Sequence, residues 1–315
     1  MTGTDLTRAV DLLFENQLRD WDLARTNYSD LRNARLRTFN FEGFKILVQF
    51  NPKRIRSSAA KVDPVSIKTR PCFLCDRNRP VEQQNIRYKN DFYLLVNPYP
   101  VFSGHLTVPS FQHVPQRIRP NFPLMLEIAG NLPRYTVIYN GPQCGASAPD
   151  HFHFQAVPKQ NLPVEDDFRN GIKCKLKSNI LGVSVYTWDK YLRNLITLTG
   201  NDIPELIILF NKICDLLTGM IPALGDEPMM NIIAGLEESN YVVHIIPRKL
   251  HRPDRYFSSG ARQLLLSPAS IDLGGVLIMP RKEDFDKITK TDIADVFEQV
   301  GVDGKLIQYL VNNLT

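Results

Sequence analysis

Residues 135–157 read YTVIYNGPQCGASAPDHFHFQAV. Two runs rich in aromatic and β-branched residues flank a segment of glycine, proline and small polar residues, which is the pattern of two strands joined by a wide loop. Side chains alternate faces along a strand, so His151, His153 and Gln155 share one side of HFHFQ while Phe152 and Phe154 share the other. One face is therefore polar and the other belongs to a core. Small residues at 140–150 let backbone N–H groups approach an anion closely, so the loop suits a phosphate. A neutral imidazole on the strand that follows can attack phosphorus, and an adjacent amide can donate to oxygens that gain negative charge. The same spacing also suits a metal site or an ordinary polar strand face.

A second cluster stands upstream at PCFLCD, residues 71–76. Cys72 and Cys75 have the spacing to place two thiolates on one divalent ion, and tetrahedral zinc then needs two further ligands, for which His113 and His151 are candidates. A redox pair fits less well, because a proline-bounded loop precedes the cysteines and no strand leads from them into a helix. Two unpaired thiols are the plain alternative. Five cysteines, an odd number in a chain without a signal-like apolar start, do not form a disulfide framework.

Outward from these motifs, FKILVQF (44–50), FYLLV (92–96) and HLTVP (105–109) read as further strands, and Leu6, Val10, Leu13, Phe14, Leu18 and Trp21 carry helical spacing. In the second half, PELIILFNKICDLLTGM (204–220) predicts a buried helix, and MMNIIAGL (229–236) with YVVHIIP (241–247) predicts a hairpin around EESN. DIADVFEQV and GKLIQYLVNNL predict two terminal helices. YTVIYN…HFHFQAVPK and MMNIIAGL…YVVHIIPRK share a grammar of strand, turn, histidine-bearing strand, proline and basic residue. The expected fold class is α+β, with mainly antiparallel sheets flanked by helices and built from two related halves. The expected division is 1–175, holding the nucleophile and metal motifs, and 176–315, a degenerate copy with a soft boundary near 170–200.

The chain has 315 residues, is 43% hydrophobic, and carries 38 basic against 33 acidic residues for a net charge of +5. That length supports a full core. The modest basic excess fits a small anionic ligand better than nucleic acid, and the basic clusters lack the interleaved aromatics of a single-strand platform. No apolar run is long enough for a membrane span, so a cytoplasmic location is expected with no membrane partner. A homodimer is left open.

CFLC, then NDF at 90–92, NPYPVFSGHL at 97–106 and HxHxQ at 151–155 resemble, in that order, the galactose-1-phosphate uridylyltransferase branch of the histidine-triad superfamily, and FKILVQFNPKRIR at 44–56 looks like that branch's strand ending in proline and basic residues. The resemblance covers residues 40–160 well and the rest weakly. It implies that Cys72, Cys75, His113 and His151 hold a structural zinc, that His153 takes a covalent nucleotidyl group and that Gln155 stabilises it. It further implies Arg54 at the phosphates, Asn90 and Asp91 near base or ribose, and Asn140, Gly145 and Ser147 in the phosphate loop. PRKLHRPDR at 247–255 offers Arg248, Lys249 and His251 to the sugar-phosphate end, or is a solvated loop; His105 in SGHL reads as structural. Phenylalanines stand where the uridylyltransferases carry proline and glycine in HPHGQ, which brings the motif closer to the GDP-hexose phosphorylases, while GASAP (145–149) resembles the diadenosine polyphosphate phosphorylases. His244 and His251 are not a paired motif, so no iron site is expected.

The function this implies is a nucleotidyltransferase or phosphorylase on a nucleotide sugar, GDP- or UDP-hexose, with phosphate or a sugar phosphate as acceptor. Diadenosine polyphosphate phosphorolysis is the alternative within the enzyme class. A zinc-braced nucleotide-binding protein without turnover is the alternative outside it.

Overall fold

The computed structural model describes residues 3–55, 59–60, 62–89, 91–221 and 227–314, with backbone only for Gly3 and Thr4. Its centre is one antiparallel sheet of ten strands among the described residues. From one edge these are β3 (Asn85–Tyr88), β4 (Phe92–Val96), β5 (Leu106–Pro109), β7 (His153–Pro158) and β6 (Tyr135–Asn140), then β11 (Met230–Glu237), β12 (Asn240–Pro247), β10 (Ile196–Gly200), β9 (Val183–Trp188) and β8 (Cys174–Ile180). The first five and the last five have the same connectivity, each with a helix between its third and fourth strands in the chain: Phe122–Asn131 in one half and Ile203–Thr218 in the other. They meet where β6 pairs antiparallel with β11, Ile138 opposite Ile233 and Asn140 opposite Asn231. The two halves of the sequence are thus related by a pseudo-twofold through the middle of the sheet.

The alternation expected of HFHFQ holds for the core. Phe152 and Phe154 are fully buried among Tyr139, Val137, Ile232 and the helices Phe122–Asn131, Ile203–Thr218 and Gly304–Asn312. The helix at 203–218 starts as its sequence dictates: the Asp202 side chain accepts the Glu205 N–H and Pro204 occupies the first turn. The hairpin also forms, with Glu237 opposite Asn240 and a two-residue turn in which Glu238 has φ +53. β7 begins only at His153, so His151 precedes the ladder.

A smaller sheet covers the other face. β1 (Arg35–Asn40) pairs antiparallel with β2 (Lys45–Phe50), and β13 (Val276–Met279) joins β2 in parallel. A second apolar core, including Ile46, Val48, Ile138, Ile233, Trp188 and Met279, lies against it. Because β13 comes from the far end of the chain, the two halves of the sequence share this layer. It sets the turn after β2, Pro52–Arg54, over the polar face of β5 and β7. No helix among the described residues is long and apolar enough to cross a membrane.

Candidate active site and metal centre

The polar face of β4, β5 and β7 forms the floor of a cavity of about 660 Å³, lined by His153 and Gln155 from β7, Thr107 from β5, Leu95 from β4, and by Arg54, Arg70 and Ser147 around its mouth. His153 is 4% exposed. Its Nδ1 lies 2.8 Å from the His151 carbonyl oxygen, which can only accept, so Nδ1 carries the ring proton and Nε2 keeps its lone pair. Burial pushes its pKa down to about 4, so the ring is neutral at physiological pH. Its main chain is clamped by Gln116, whose Oε1 accepts the His153 N–H at 2.8 Å and whose Nε2 donates to the His153 carbonyl at 2.8 Å.

Gln155 is oriented by the histidine read from the sequence as structural. Val101 N–H donates to His105 Nδ1 at 3.2 Å, so His105 bears its proton on Nε2 and gives it to Gln155 Oε1 at 2.7 Å. The Gln155 amide nitrogen is then the end left to donate into the cavity. Burial, with Arg54 nearby, pushes His105 down to about 3 and keeps this relay neutral. Sequence reasoning missed Gln116 altogether, since nothing in QHVPQR marks it, and missed what His105 positions.

The loop 140–150 folds over a smaller adjoining cavity, about 50 Å³, lined by Asn140, Gly145, Ser147, Arg54, His251 and Arg252 among others. Gly145 has φ +94, and a Cβ there would stand 2.5 Å from the Ala269 Cβ, so only glycine fits. Asn140 Oδ1 accepts from Asn231 Nδ2 at 2.9 Å and from Ser270 N–H at 2.8 Å, which leaves its Nδ2 to donate. Arg54 donates to the Tyr99 carbonyl at 2.9 Å and lines both cavities. Arg70, another residue not singled out from sequence, pairs with Asp150 at 2.6 Å, while its Nη1 is buried without a partner at the cavity edge.

Three expected substrate contacts do not reach either cavity. Arg248 is fully buried and donates to Val300 O, Asn231 Oδ1, Pro268 O, Leu250 O and His251 O, so its guanidinium is consumed by the protein. Lys249 is exposed, because the bridge from Arg248 to Gly301 turns the chain outward; His251 and Arg252 of the same segment face the small cavity instead. Asp91 is exposed on the turn before β4, its carbonyl accepting Phe111 N–H, away from the residues that line the cavity. Asn90 lies outside the described residues.

Cys72, Cys75, His113 and His151 converge, with their ligand atoms all within 4.8 Å of one another. Cys72 Sγ is 3.4 Å from His151 Nδ1, and Cys75 Sγ is 3.2 Å from His113 Nδ1 and 3.5 Å from His151 Nδ1. Metal–sulfur bonds of about 2.3 Å and metal–nitrogen bonds of about 2.0–2.1 Å at tetrahedral angles give S···N edges of about 3.5 Å, which these separations approach. Both histidines point Nδ1 at the cluster and Nε2 at an oxygen: His151 at the Ser110 carbonyl, 2.8 Å, and His113 at Asp150, 3.3 Å. Oxygen acceptors on the far nitrogen are what a metal-bound imidazole takes, so the donor set fits a tetrahedral divalent ion.

A ten-stranded sheet made of two like halves, with an HxHxQ strand at its polar face, defines a histidine-triad protein. Residues 13–158 match a family model described as a domain of unknown function (DUF4922), and residues 168–313 match one described as GDPGP1-like, C-terminal domain. No curated protein is similar enough in sequence to count as a match. Yeast Ap4A phosphorylase Apa2 in complex with AMP is similar in structure, with a TM-score of 0.59 at 16% identity over 93% of this chain and 96% of that one. The same yeast enzyme in complex with Ap4A gives 0.54 at 15% identity, covering 89% and 96%. The GDPGP1-like match over residues 168–313 and the fold shared with yeast Ap4A phosphorylase support the branch of the histidine-triad superfamily that the sequence motifs resemble.

Proposed function

We propose that this protein is a phosphorylase of a nucleoside diphosphate hexose, with GDP-hexose ahead of UDP-hexose as donor, working through a nucleotidyl-His153 intermediate. The observation that carries the reading is the pair of fixed tautomers: an Nε2 lone pair on His153 and an amide donor on Gln155, side by side on the cavity floor. His153 Nε2 bonds to the α-phosphorus as the bond from that phosphorus to the bridging oxygen breaks, and hexose 1-phosphate leaves with the electron pair. The positive charge on the ring is shared through Nδ1–H with the His151 carbonyl, and Gln155 Nε2 donates to the non-bridging oxygens as their charge builds. Arg54 and Ser147 lie where the leaving phosphate and the loop meet. In the second step an oxygen of inorganic phosphate attacks the same phosphorus, the N–P bond breaks, and a nucleoside diphosphate leaves.

The small cavity beside Gln155 supports phosphate over a sugar phosphate as the acceptor, since its volume suits a compact anion beside Arg54, Arg252 and the Asn140 amide. The description of the C-terminal family model supports a GDP-hexose donor. Cys72, Cys75, His113 and His151 would hold a structural zinc; four protein ligands leave no open position, so the ion would brace the start of β7. The location is taken to be the cytoplasm.

The test is intact-protein mass after brief exposure to GDP-hexoses, UDP-hexoses and Ap4A, denatured without acid, with His153→Ala alongside. A guanylyl adduct on the wild type alone supports the proposal, and an adenylyl adduct from Ap4A would replace the donor. Reversible nucleotide binding with no adduct from any donor would leave a nucleotide-binding protein without turnover.

A further inference from the structure

The half without a nucleophile retains a cavity of its own, about 290 Å³, on the same face of the sheet. Strand register shows which residues correspond. Gln155 sits between Ile138 on β6 and Thr107 on β5, and His244 sits between Ile233 on β11 and Thr197 on β10. Ile138 and Ile233 pair across the pseudo-twofold. His244 therefore takes the place of Gln155, and Val242 the place of His153. The wide loop 141–150 has as its counterpart the two-residue hairpin turn after Glu237, so this half has no phosphate cradle. Phe168 and Trp188 also pack against each other and against His244, and Tyr191 packs on Trp188.

What is left is polar. Thr197 Oγ1 accepts Trp188 Nε1–H at 2.9 Å and shares a hydrogen bond with His244 Nδ1 at 2.8 Å, which holds the ring with Nε2 as its other polar end. His244 is 2% exposed and lines the cavity, and its Nε2 makes no hydrogen bond to the described residues. That nitrogen, on a side chain more than nine-tenths buried, is left to bond a ligand hydroxyl, as donor or acceptor. Two of the three carboxylates beside it already have partners. Glu165 Oε2 accepts the N–H groups of Gln160 and Leu162 at 3.0 and 3.2 Å, Oε1 accepts the Thr136 hydroxyl, and Glu237 pairs with Lys159 and Arg169 at 3.2 and 3.7 Å. Thr199, Asn240 and the exposed Glu238 complete a polar rim, with the rings of Phe168 and Tyr186 also in the lining.

We propose that this cavity is a second ligand site, for a neutral polyhydroxylated molecule of hexose size. Each hydroxyl of such a ligand both donates and accepts, and its volume falls at the small end of the range that ligand sites occupy, about 300–1,000 Å³. Glu165, Glu237 and Glu238 in the lining disfavour an anion.

Calorimetric titration of the whole protein with D-glucose, D-mannose and D-galactose tests this, with inorganic phosphate and putrescine as charged probes. His244→Phe removes that nitrogen. Gly235→Val plugs the cavity without removing a bond, since a Cβ there has only ordinary contacts, 3.5 Å from Lys159 Cε and Thr136 Oγ1. The expected result is saturable binding of at least one neutral hexose, weakened tenfold or more by both substitutions, with nucleotidyl adduct formation at His153 unchanged. No saturable hexose binding, equal binding by wild type and Gly235→Val, or preferential binding of phosphate or putrescine lost with Gly235→Val would each overturn the proposal. The adduct assay reads the other cavity, so either reading fails independently of the other.

Discussion

Replacing His105 separates its two hydrogen bonds, and with them positioning from stability. An asparagine side chain reaches about as far as Nδ1 and a glutamine about as far as Nε2. His105→Asn keeps an acceptor for Val101 N–H and loses the donor to Gln155, while His105→Gln does the reverse. In the wild type the 2.7 Å bond fixes which end of the Gln155 amide faces the cavity. Free rotation of that amide would cost about two-fold in rate if both orientations were equally populated, whereas outright loss of one donor to a developing anion costs about 10²–10³. The expected loss for His105→Asn is about ten- to a hundred-fold in kcat, about 1.4–2.7 kcal/mol of barrier. For His105→Gln the Val101 N–H is left unpaired in a site that is 0% exposed, so stability falls by about 1–3 kcal/mol while kcat stays within a few-fold of wild type. Steady-state nucleotide release from the donor that forms the adduct, with urea unfolding of each variant, reads both quantities. Wild-type kcat in His105→Asn, or activity losses that simply follow stability in both variants, would refute the relay.

Zinc content measured by mass spectrometry should be about one per chain, and His113→Ala or Cys75→Ser should lower it and the melting temperature together, since a tetrahedral site loses a quarter of its ligands in either case. A metal-free wild type that melts no lower than a zinc-loaded one would remove the metal from the account. Arg248→Met should cost about 3 kcal/mol or more in urea unfolding, because it strips buried carbonyls of their donor, while KM for the nucleotide in the folded fraction changes little; a large rise in KM with unchanged stability would return Arg248 to substrate binding. Burial holds His244 down at about 3, so the wild type gains stability from the neutral ring above pH 6.5 and loses it as pH falls toward 3. The unfolding free-energy difference between wild type and His244→Phe should therefore shift by about 2 kcal/mol against the wild type between pH 7 and pH 5, and a difference that stays constant would mean the ring is not buried neutral.

Local pattern carried most of the elements. FYLLV and YTVIYN became β4 and β6 with the ends read from the sequence, and the alternation of Phe152 and Phe154 with polar residues was enough to name the core face. The Cys/His cluster was legible because a CxxC pair calls for two further ligands if it holds an ion, although the histidines that join it lie 38 and 76 residues away from Cys75. What was not legible depends on pairings between distant segments. Gln116 is an ordinary loop glutamine until the fold brings it beside His153, and Arg248 reads as a ligand-binding cation until its five carbonyl and amide acceptors are seen. The initial helix shows the same limit in miniature. The apolar period through Trp21 is real, but the chain breaks at Trp21 and a second helix, Asp22–Leu31, follows.

The pseudo-twofold also lets one half shape the cavity of the other. Asn231 of β11 lies opposite Asn140 across the seam, and its Nδ2 reaches Asn140 Oδ1 and, at 2.7 Å, the Cys144 carbonyl of the 140–150 loop. Arg248 holds Asn231 Oδ1 at 2.7 Å, Ser270 N–H donates to Asn140, and Ala269 packs where only Gly145 can pass. The loop beside His153 is thus shaped from the second half, through buried hydrogen bonds anchored by the Arg248 guanidinium. Substitution at Asn231 is then expected to disturb the N-terminal cavity more than the cavity in its own half, which follows from the register and not from sequence proximity.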